Sequence, residues 1–175
     1  ELESYFTLDH FFEEQTVTLR SADLAVRRKM PSVGDVYTHM AKGWSLHVRE
    51  SERFLAPNAP LRALYADILH QLQHPGDSLS CFLAPPNSVL LPAHHDETDV
   101  ITLQISGSKR WRLLHHNITD ESTFYEPQDL GEPTHEFTLQ AGDLLYHPRG
   151  TVHEVFGDDS TSLSVSVIIA PLTWK

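Results

Sequence analysis

Apolar residues recur at helical spacing in one segment of the first half of the chain. Between residues 60 and 73 they stand three or four positions apart, which predicts an amphipathic helix with one buried face. Pro60 suits the first turn of this helix, and the turn residues His74-Pro75-Gly76 end it. The apolar positions are Leu61, Leu64, Tyr65, Ile68, Leu69 and Leu72.

A shorter helix is predicted between Asp35, which can cap its first turn, and Gly43. From Trp44 to Val48 the pattern changes to alternation, with a large apolar residue at every second position, which is typical of a strand. From residue 80 onward, short runs of β-type residues alternate with turn residues. The predicted strands are 81–83, 100–105, 110–114, 136–139, 144–146, 152–156 and 163–169.

The spacing of these strands indicates the fold class. No helical pattern separates them, which argues against a sheet built from strand–helix–strand units. We expect a mainly β protein, an antiparallel sandwich or barrel, with helices in its N-terminal part. The 175 residues, 40% of them hydrophobic, are enough for one core. We predict a single globular unit, with a helical or irregular segment at 1–43 and a β domain at 44–175.

Charge and composition exclude several function classes. Lys and Arg number 13 against 24 Asp and Glu, a formal net charge of −11, so binding to nucleic acid or to an anionic membrane is not expected. No apolar run approaches the roughly 18 residues of a membrane span, and residues 1–15 lack the pattern of a secretory signal. The single cysteine forms no disulfide within the chain. We expect a cytoplasmic protein, and the sequence indicates no oligomeric state.

Histidine is unusually frequent, with 12 in the chain. In an extended segment, residues i and i+2 project to the same face, so His94 and Asp96 can reach one metal ion, and His153 can join them from a distant strand. Two imidazoles and one carboxylate on one face are the ligand set of non-haem Fe(II) oxygenases. His95 and Glu97 have the same spacing, so the spacing alone leaves two registers open.

Two sequence blocks carry a resemblance to a known family. One reads PAHHDETDVITLQISGSKRWRLL over residues 92–114, and the other reads GDLLYHPRGTVH over residues 142–153. The ordered pattern H-x-D, Q-x-x-G-x-K-x-W-R and G-D-x-L-Y-x-P-R-G-x-x-H resembles the JmjC-type cupin hydroxylases, in particular the ribosomal oxygenases and their bacterial relatives. The resemblance covers roughly residues 43–171. It implies a double-stranded β-helix of the cupin or jelly-roll kind, preceded by N-terminal helices, and identifies 44–175 as the JmjC-type cupin domain.

The same resemblance implies roles for six residues. His94, Asp96 and His153 take the metal-ligand positions and are the implied catalytic residues, which favours their register over the alternative. Lys109 would pair with the distal carboxylate of 2-oxoglutarate, because a dicarboxylate in a partly desolvated slot needs a fixed cation. Thr102, which has the strand parity of Asp96, would face the cosubstrate, as would Ser164 on the last strand. The implied cofactors are Fe(II) and 2-oxoglutarate, with O2 as co-substrate.

The function implied by the resemblance is an Fe(II)- and 2-oxoglutarate-dependent oxygenase that hydroxylates an unactivated C–H bond on a protein or peptide side chain. Segment 120–143 holds seven carboxylates and no Lys or Arg, so a basic peptide is the electrostatically favoured substrate. Two alternatives are a cupin metalloenzyme that does not use 2-oxoglutarate, such as a dioxygenase or isomerase, and a catalytically silent binding module of the same fold. Lys109 argues against the first alternative, and the intact ligand set argues against the second.

Overall fold

The computed structural model describes residues 17–21, 26–27, 32–115, 124–125 and 130–171. The helices within these ranges are α1 (Val33–Met40), a short 3-10 helix (Ser51–Phe54) and α2 (Pro60–Leu72). The strands are β1 (Val17–Arg20), β2 (Val26–Arg27), β3 (Ser45–Val48), β4 (Ser78–Ala84), β5 (Val89–His94), β6 (Asp99–Ser106), β7 (Lys109–Leu114), β8 (Pro133–Leu139), β9 (Leu144–His147), β10 (Val152–Gly157) and β11 (Ser162–Ile169).

These strands form two antiparallel sheets. One has seven strands in the order β2-β1-β3-β4-β11-β6-β9, and the other has four in the order β5-β10-β7-β8. Strands that are distant in the sequence lie side by side, since β11 lies between β4 and β6, and β10 lies between β5 and β7. This is the topology of a double-stranded β-helix. The predicted mainly β, jelly-roll fold is confirmed.

The inner faces of the two sheets pack on each other in a buried apolar cluster. Ala84 of β4 meets Leu90 of β5, Trp111 of β7 and Val155 of β10 there. Three of these side chains, those of Leu90, Trp111 and Val155, also line the cavity between the sheets. The core and the candidate site therefore share walls, which makes the site a rigid part of the fold.

Helix α2 covers the outer face of the seven-stranded sheet. Its residues Leu61, Ile68 and Leu69 pack on Leu79 of β4 and Val165 of β11, as the helical spacing of apolar residues predicts. The helix ends as Gln73 takes a left-handed conformation with φ 51°. In the described ranges, no helix is long and apolar enough to cross a membrane.

Helix α1 packs over the other half of the same face, where Val36 meets Leu19 of β1 and Leu46 of β3. The helix begins earlier than the sequence predicts. The Ser32 hydroxyl accepts the backbone N–H of Asp35 and is the N-cap, so Asp35 lies in the first turn. A serine and an aspartate three positions apart both suit the cap, which explains the shift.

Strand β5 is not among the strands that the sequence pattern predicts. Pro92 lies within this strand, and proline is rare inside strands because it cannot donate to the ladder. β5 is the edge strand of the four-stranded sheet, and its register with β10 shifts between His153 and Val155, opposite Pro92, an irregularity at which a proline is tolerated. His94 is the last residue of this strand, and Asp96 lies in the connection to β6.

The description of segment 1–43 as helical or irregular is also incomplete, because β1 and β2 lie within it. β1 pairs with β3, and Leu19 faces Leu46 across this pair, so the seven-stranded sheet crosses the predicted boundary at residue 44. Strands of four and two residues are too short for alternation to be recognised. The described part of 1–43 thus belongs to the same folded unit as the β domain.

Candidate active site

A cavity of about 200 Å³ opens between the two sheets. Inward-facing side chains of both sheets line it, and they come from strands that are far apart in the sequence. The structure brings five of the six predicted site residues to this one cavity. They are His94, Asp96, His153, Thr102 and Ser164.

The three candidate metal ligands face one another at the end of the β5–β10 pair. His94 and His153 are direct cross-strand partners, and their ring centroids are 4.3 Å apart. Oδ1 of Asp96 lies 3.9 Å from Nε2 of His94, and Oδ2 lies 3.9 Å from Nε2 of His153. These distances are too long for hydrogen bonds, but they are shorter than two metal–ligand bonds of about 2.0–2.2 Å placed end to end. One metal ion can therefore bind the Asp96 carboxylate and the imidazole of His94 at the same time, and likewise the Asp96 carboxylate and the imidazole of His153.

Backbone carbonyls orient both imidazoles. Nδ1 of His94 lies 2.8 Å from the carbonyl oxygen of Pro92, and Nδ1 of His153 lies 2.9 Å from that of Thr151. Because a carbonyl oxygen only accepts hydrogen bonds, Nδ1 carries the hydrogen in each ring and Nε2 presents its lone pair. Both rings are thus held in the tautomer that a metal ligand at Nε2 requires.

Asp96 is positioned by the turn that precedes His153 in the sequence. The Gly150 N–H donates to the Asp96 carbonyl oxygen at 2.9 Å, and the Arg149 N–H donates to Oδ1 of Asp99 at 2.9 Å. Gly150 has φ 77°, a conformation that glycine adopts without strain. The Pro-Arg-Gly turn therefore connects the loop of one candidate ligand to the strand of another.

Burial favours the neutral form of the two imidazoles. Burial lowers the pKa of His94, against the opposing effects of Asp96 and of the hydrogen bond to Pro92. Burial also lowers the pKa of His153 well below its usual value, and the neighbouring imidazoles of His94 and His147 lower it further. Neutral imidazoles beside a carboxylate are the state that binds a divalent cation.

The structure does not bring the alternative pair of candidate ligands, His95 and Glu97, together with His153. His95 turns away from the trio, and its Nδ1 lies 2.6 Å from the hydroxyl of Tyr125, while Glu97 is exposed. Among the residues that the structure describes, His94, Asp96 and His153 are the one group of three or more His, Cys, Asp or Glu side chains whose donor atoms all lie within 4.8 Å.

Lys109, the sixth predicted site residue, does not line the cavity but lies behind its wall, against the lining residues Phe82 and Ser164. In the β7–β10 ladder, Lys109 pairs with Gly157, and Leu113 pairs with His153. The two pairs are four residues apart along the strands, which corresponds to about 13 Å. The side chain of Lys109 is 0% exposed, and Nζ donates to the Ser164 hydroxyl at 2.6 Å and to the Phe82 carbonyl at 2.8 Å. Burial lowers the pKa of Lys109 to about 7. A buried amine with neutral partners gains most from an anionic ligand.

Small hydroxyl side chains line the wall between the two ends. Thr102 and Ser166 lie opposite each other on β6 and β11, and their hydroxyl oxygens are 2.8 Å apart. Ser164 faces Gln104 at the next inward position of the same pair of strands. Thr102 and Ser164 are almost fully buried. The hydroxyls form a polar track from Lys109 towards the metal end.

Strands β1 and β3 supply a part of the cavity wall that is not among the predicted site residues. His47 lines the cavity and stacks on Phe82 with ring centroids 4.2 Å apart. Burial, and then the charges of Arg20 and Arg49, lower the pKa of His47 to about 3. The alternation at 44–48 contained this signal, because it places His47 on the face opposite the large apolar residues.

Comparison with known protein families decides the classification. A family model described as the JmjC domain matches residues 59–175 of the chain. The chain belongs to the JmjC domain family. The matched residues include all six of the predicted site residues, and the family resemblance stated from the sequence is confirmed.

Curated relatives of this JmjC domain carry oxygenase names. Over 91 residues it is 40% identical to ribosomal oxygenase 2 of Rattus norvegicus, an alignment that covers 51% of the chain and 20% of that relative. Over 149 residues it is 32% identical to the bifunctional lysine-specific demethylase and histidyl-hydroxylase NO66 of Drosophila erecta, covering 80% of the chain and 22% of that relative. The chain thus spans about a fifth of the length of these relatives.

Solved structures similar to this JmjC domain include the ribosomal oxygenase YcfD of Escherichia coli. One YcfD structure matches 93% of the chain, and 44% of its own length, with a TM-score of 0.66 and 24% identity. A second, in complex with cobalt and 2-oxoglutarate, matches 91% of the chain and 42% of its own length with a TM-score of 0.64. At this identity, the similarity establishes a shared fold.

Proposed function

We propose that this JmjC domain is an Fe(II)- and 2-oxoglutarate-dependent oxygenase that hydroxylates an unactivated C–H bond on a protein or peptide side chain. One observation carries the proposal: a His-Asp-His cluster lies at one end of a cavity, and a buried lysine lies behind the wall at the other end, where it donates a hydrogen bond to the lining residue Ser164. Relatives named as ribosomal oxygenases and histidyl-hydroxylases support a protein substrate. The YcfD complex with 2-oxoglutarate supports this cosubstrate.

His94, Asp96 and His153 would hold the metal, and their chemistry fits Fe(II). Two neutral imidazoles and one carboxylate bind one face of the ion and leave the other positions open to ligands. Bound Fe(II) supplies the oxygen chemistry, in which O2 and 2-oxoglutarate give succinate, CO2 and a hydroxyl group on the substrate carbon. The carbonyls of Pro92 and Thr151 keep each Nε2 directed at the ion, so the protein contributes a ligand set that is ordered before the metal binds.

Lys109 would bind the distal carboxylate of 2-oxoglutarate. Ser164 and the Phe82 carbonyl hold Nζ in place, and a carboxylate beside it would stabilise the charged form of the amine. Thr102 and Ser164 line the space between Lys109 and the candidate ligands. We propose that their hydroxyls face the bound cosubstrate and orient it along the cavity.

A basic peptide is the substrate that the charge of the chain favours. Four of the seven carboxylates in segment 120–143 lie outside the described residues, namely Asp120, Glu121, Glu126 and Asp129. Of the other three, Glu132 and Asp143 are exposed, whereas Glu136 forms ion pairs with Arg110 and Arg112. Together with the net charge of −11, the exposed carboxylates attract cationic peptides and repel nucleic acid.

Two further proposals concern the setting of the domain. We propose a cytoplasmic location, because the single cysteine, Cys81, requires no oxidising compartment. We also propose residues 44–175 as the JmjC-type cupin domain, with the strands and helix of 1–43 as an extension of its sheet and outer face.

Turnover of the purified protein tests the proposed function. Fe(II), ascorbate and 2-oxoglutarate are added, with and without basic peptides, and succinate and peptide mass are followed. We expect succinate that depends on Fe(II), and the gain of one oxygen atom on a substrate peptide. Asp96→Asn should abolish both, and Glu97→Gln, the same change one residue beyond, should leave both intact. A wild-type protein that holds Fe(II) but forms no succinate would contradict the proposal.

A further inference from the structure

A third histidine, His147 of β9, borders the candidate metal site without belonging to it. Its side chain lines the cavity and is 3% exposed. Its ring centroid lies 4.5 Å from that of His153 and 5.9 Å from that of Trp111. It is not part of the group of donor atoms that lie within 4.8 Å of one another. The family resemblance gave it no role.

The alternation of β9 directs His147 into the cavity. Leu144 and Tyr146 are 58% and 54% exposed, so this face of the strand points outward. Leu145 points inward and packs in the cluster between the sheets, and His147 follows on the same face. An imidazole is a costly side chain for such a position, because a buried polar group needs a hydrogen-bond partner.

Within the described ranges, one ring nitrogen of His147 lacks such a partner. Nδ1 is buried and makes no hydrogen bond among the residues that the structure describes. The candidate ligands differ in this respect, because Nδ1 of His94 and of His153 donates to a backbone carbonyl. His147 is therefore not oriented as those two ligands are. An unsatisfied buried polar group calls for an explanation, and a bound molecule that pairs with it is one.

The pairing of the strands places His147 at the metal end of the polar track. On β6, Thr102 pairs with Ser166 of β11 and with Leu145 of β9. Val100, two residues earlier on β6, pairs with His147 of β9. A cosubstrate that extends from Lys109 past the hydroxyls reaches the level of His147 with its opposite end. That end of 2-oxoglutarate carries the 2-oxo acid.

We propose that His147 binds the cosubstrate by donating an imidazole N–H hydrogen bond to the carboxylate that 2-oxoglutarate directs at the metal. The inference rests on the proposed function, since it requires 2-oxoglutarate in the cavity. A neutral imidazole has one N–H donor and one acceptor. His147 thus supplies a hydrogen bond to the anion without adding a full positive charge beside the ion.

The test measures binding of 2-oxoglutarate to Co(II)-loaded protein by calorimetry and by the visible spectrum of the metal. His147→Leu should raise the Kd of 2-oxoglutarate about tenfold or more, the effect of losing a hydrogen bond to a charged group. The Kd of Co(II) should stay within about twofold, and the melting temperature should not fall, because an apolar side chain replaces an unpartnered polar one. His135→Leu, the same change at an exposed histidine, is the matched control and should change none of these.

Two amide variants, His147→Asn and His147→Gln, serve as a check in case His147→Leu fails to fold. Asn places its nitrogen near the position of Nδ1 and Gln near that of Nε2, so tighter binding in one of them identifies the donor. An unchanged Kd for 2-oxoglutarate in His147→Leu, with wild-type binding intact, overturns this inference alone. A loss of Co(II) affinity beyond about tenfold also overturns it, since His147 would then be a metal ligand. If the Co(II)-loaded wild type binds no 2-oxoglutarate, the proposed function fails as well.

Discussion

The two ends of the cavity present opposite electrostatic environments. At the metal end, neutral imidazoles and one carboxylate converge, an arrangement that suits a cation. Behind the wall at the other end, Lys109 lies buried among neutral partners, an arrangement that suits an anion. Backbone carbonyls order the metal end regardless of any ligand, whereas the charge of Lys109 depends on what binds beside it. A substitution at one end should therefore affect one ligand first, and the predictions use this difference.

The largest effect is expected at the metal end. Asp96→Asn removes the one carboxylate of the cluster, and we expect Co(II) affinity to fall more than about 100-fold, since even residues that only orient ligands contribute about 10- to 100-fold. Calorimetry with Co(II) measures this. Glu97→Gln is the matched control and should bind Co(II) as the wild type does. The reverse result would mean that the other register forms the site.

At the lysine end, Lys109→Met keeps the length of the side chain and removes its charge. We expect the Kd of 2-oxoglutarate to rise about 10- to 100-fold, as for the loss of a charge-assisted hydrogen bond in a desolvated site. Co(II) affinity should be unchanged, because His94, Asp96 and His153 do not contact Lys109. Weakened Co(II) binding in this variant would show that the two ends are not independent.

The pH dependence distinguishes the two ends further. The pKa of Lys109 is lowered to about 7, so above that pH the free protein must take up a proton before a carboxylate can pair with a charged amine. The affinity of metal-loaded protein for 2-oxoglutarate should therefore fall with rising pH, by up to about tenfold per unit from about pH 7 to about pH 9. Titrations in buffers of different ionisation enthalpy would detect the proton uptake. Lys109→Met should lose this slope, and a slope that persists would assign it to another group.

The smallest effect is expected between the two ends. Thr102→Val keeps the shape of the side chain and removes the hydroxyl that lies 2.8 Å from Ser166. We expect the Kd of 2-oxoglutarate to rise about three- to tenfold, as for a neutral hydrogen bond, with Co(II) affinity unchanged. Thermal melting separates this from a folding defect. An unchanged Kd would remove Thr102 from the polar track.

Strong local patterns predicted much of the fold. Six apolar residues at helical spacing predict helix α2, and turn residues on both sides of each run predict β6, β7, β10 and β11. β5 was missed because an edge strand tolerates the proline that a central strand does not. β1 was missed because four residues carry too little periodicity. Both errors concern strands whose identity is set by pairing with distant parts of the chain.

In the candidate site, too, local patterns predict some features, and the pairing of distant strands determines the others. The spacing of His94 and Asp96 indicated a metal site but left the register open, and the structure separates the two registers through the partner of His95, Tyr125. No pattern in the sequence predicts that Nδ1 of His147 is buried without a hydrogen-bond partner in the described part of the chain. Nor does any local pattern place Lys109 about 13 Å along the ladder from His153. Such relations arise only when distant strands pair.

Binding of 2-oxoglutarate in the presence and absence of metal tests the central claim that the two ends form one site. Calorimetric titrations of the wild type, Asp96→Asn and Lys109→Met, each with and without Co(II), give the comparison. We predict binding by the Co(II)-loaded wild type that is at least about tenfold tighter than by the metal-free protein, and that either substitution weakens it. Equal affinity with and without Co(II), or no effect of Lys109→Met, would contradict a shared site.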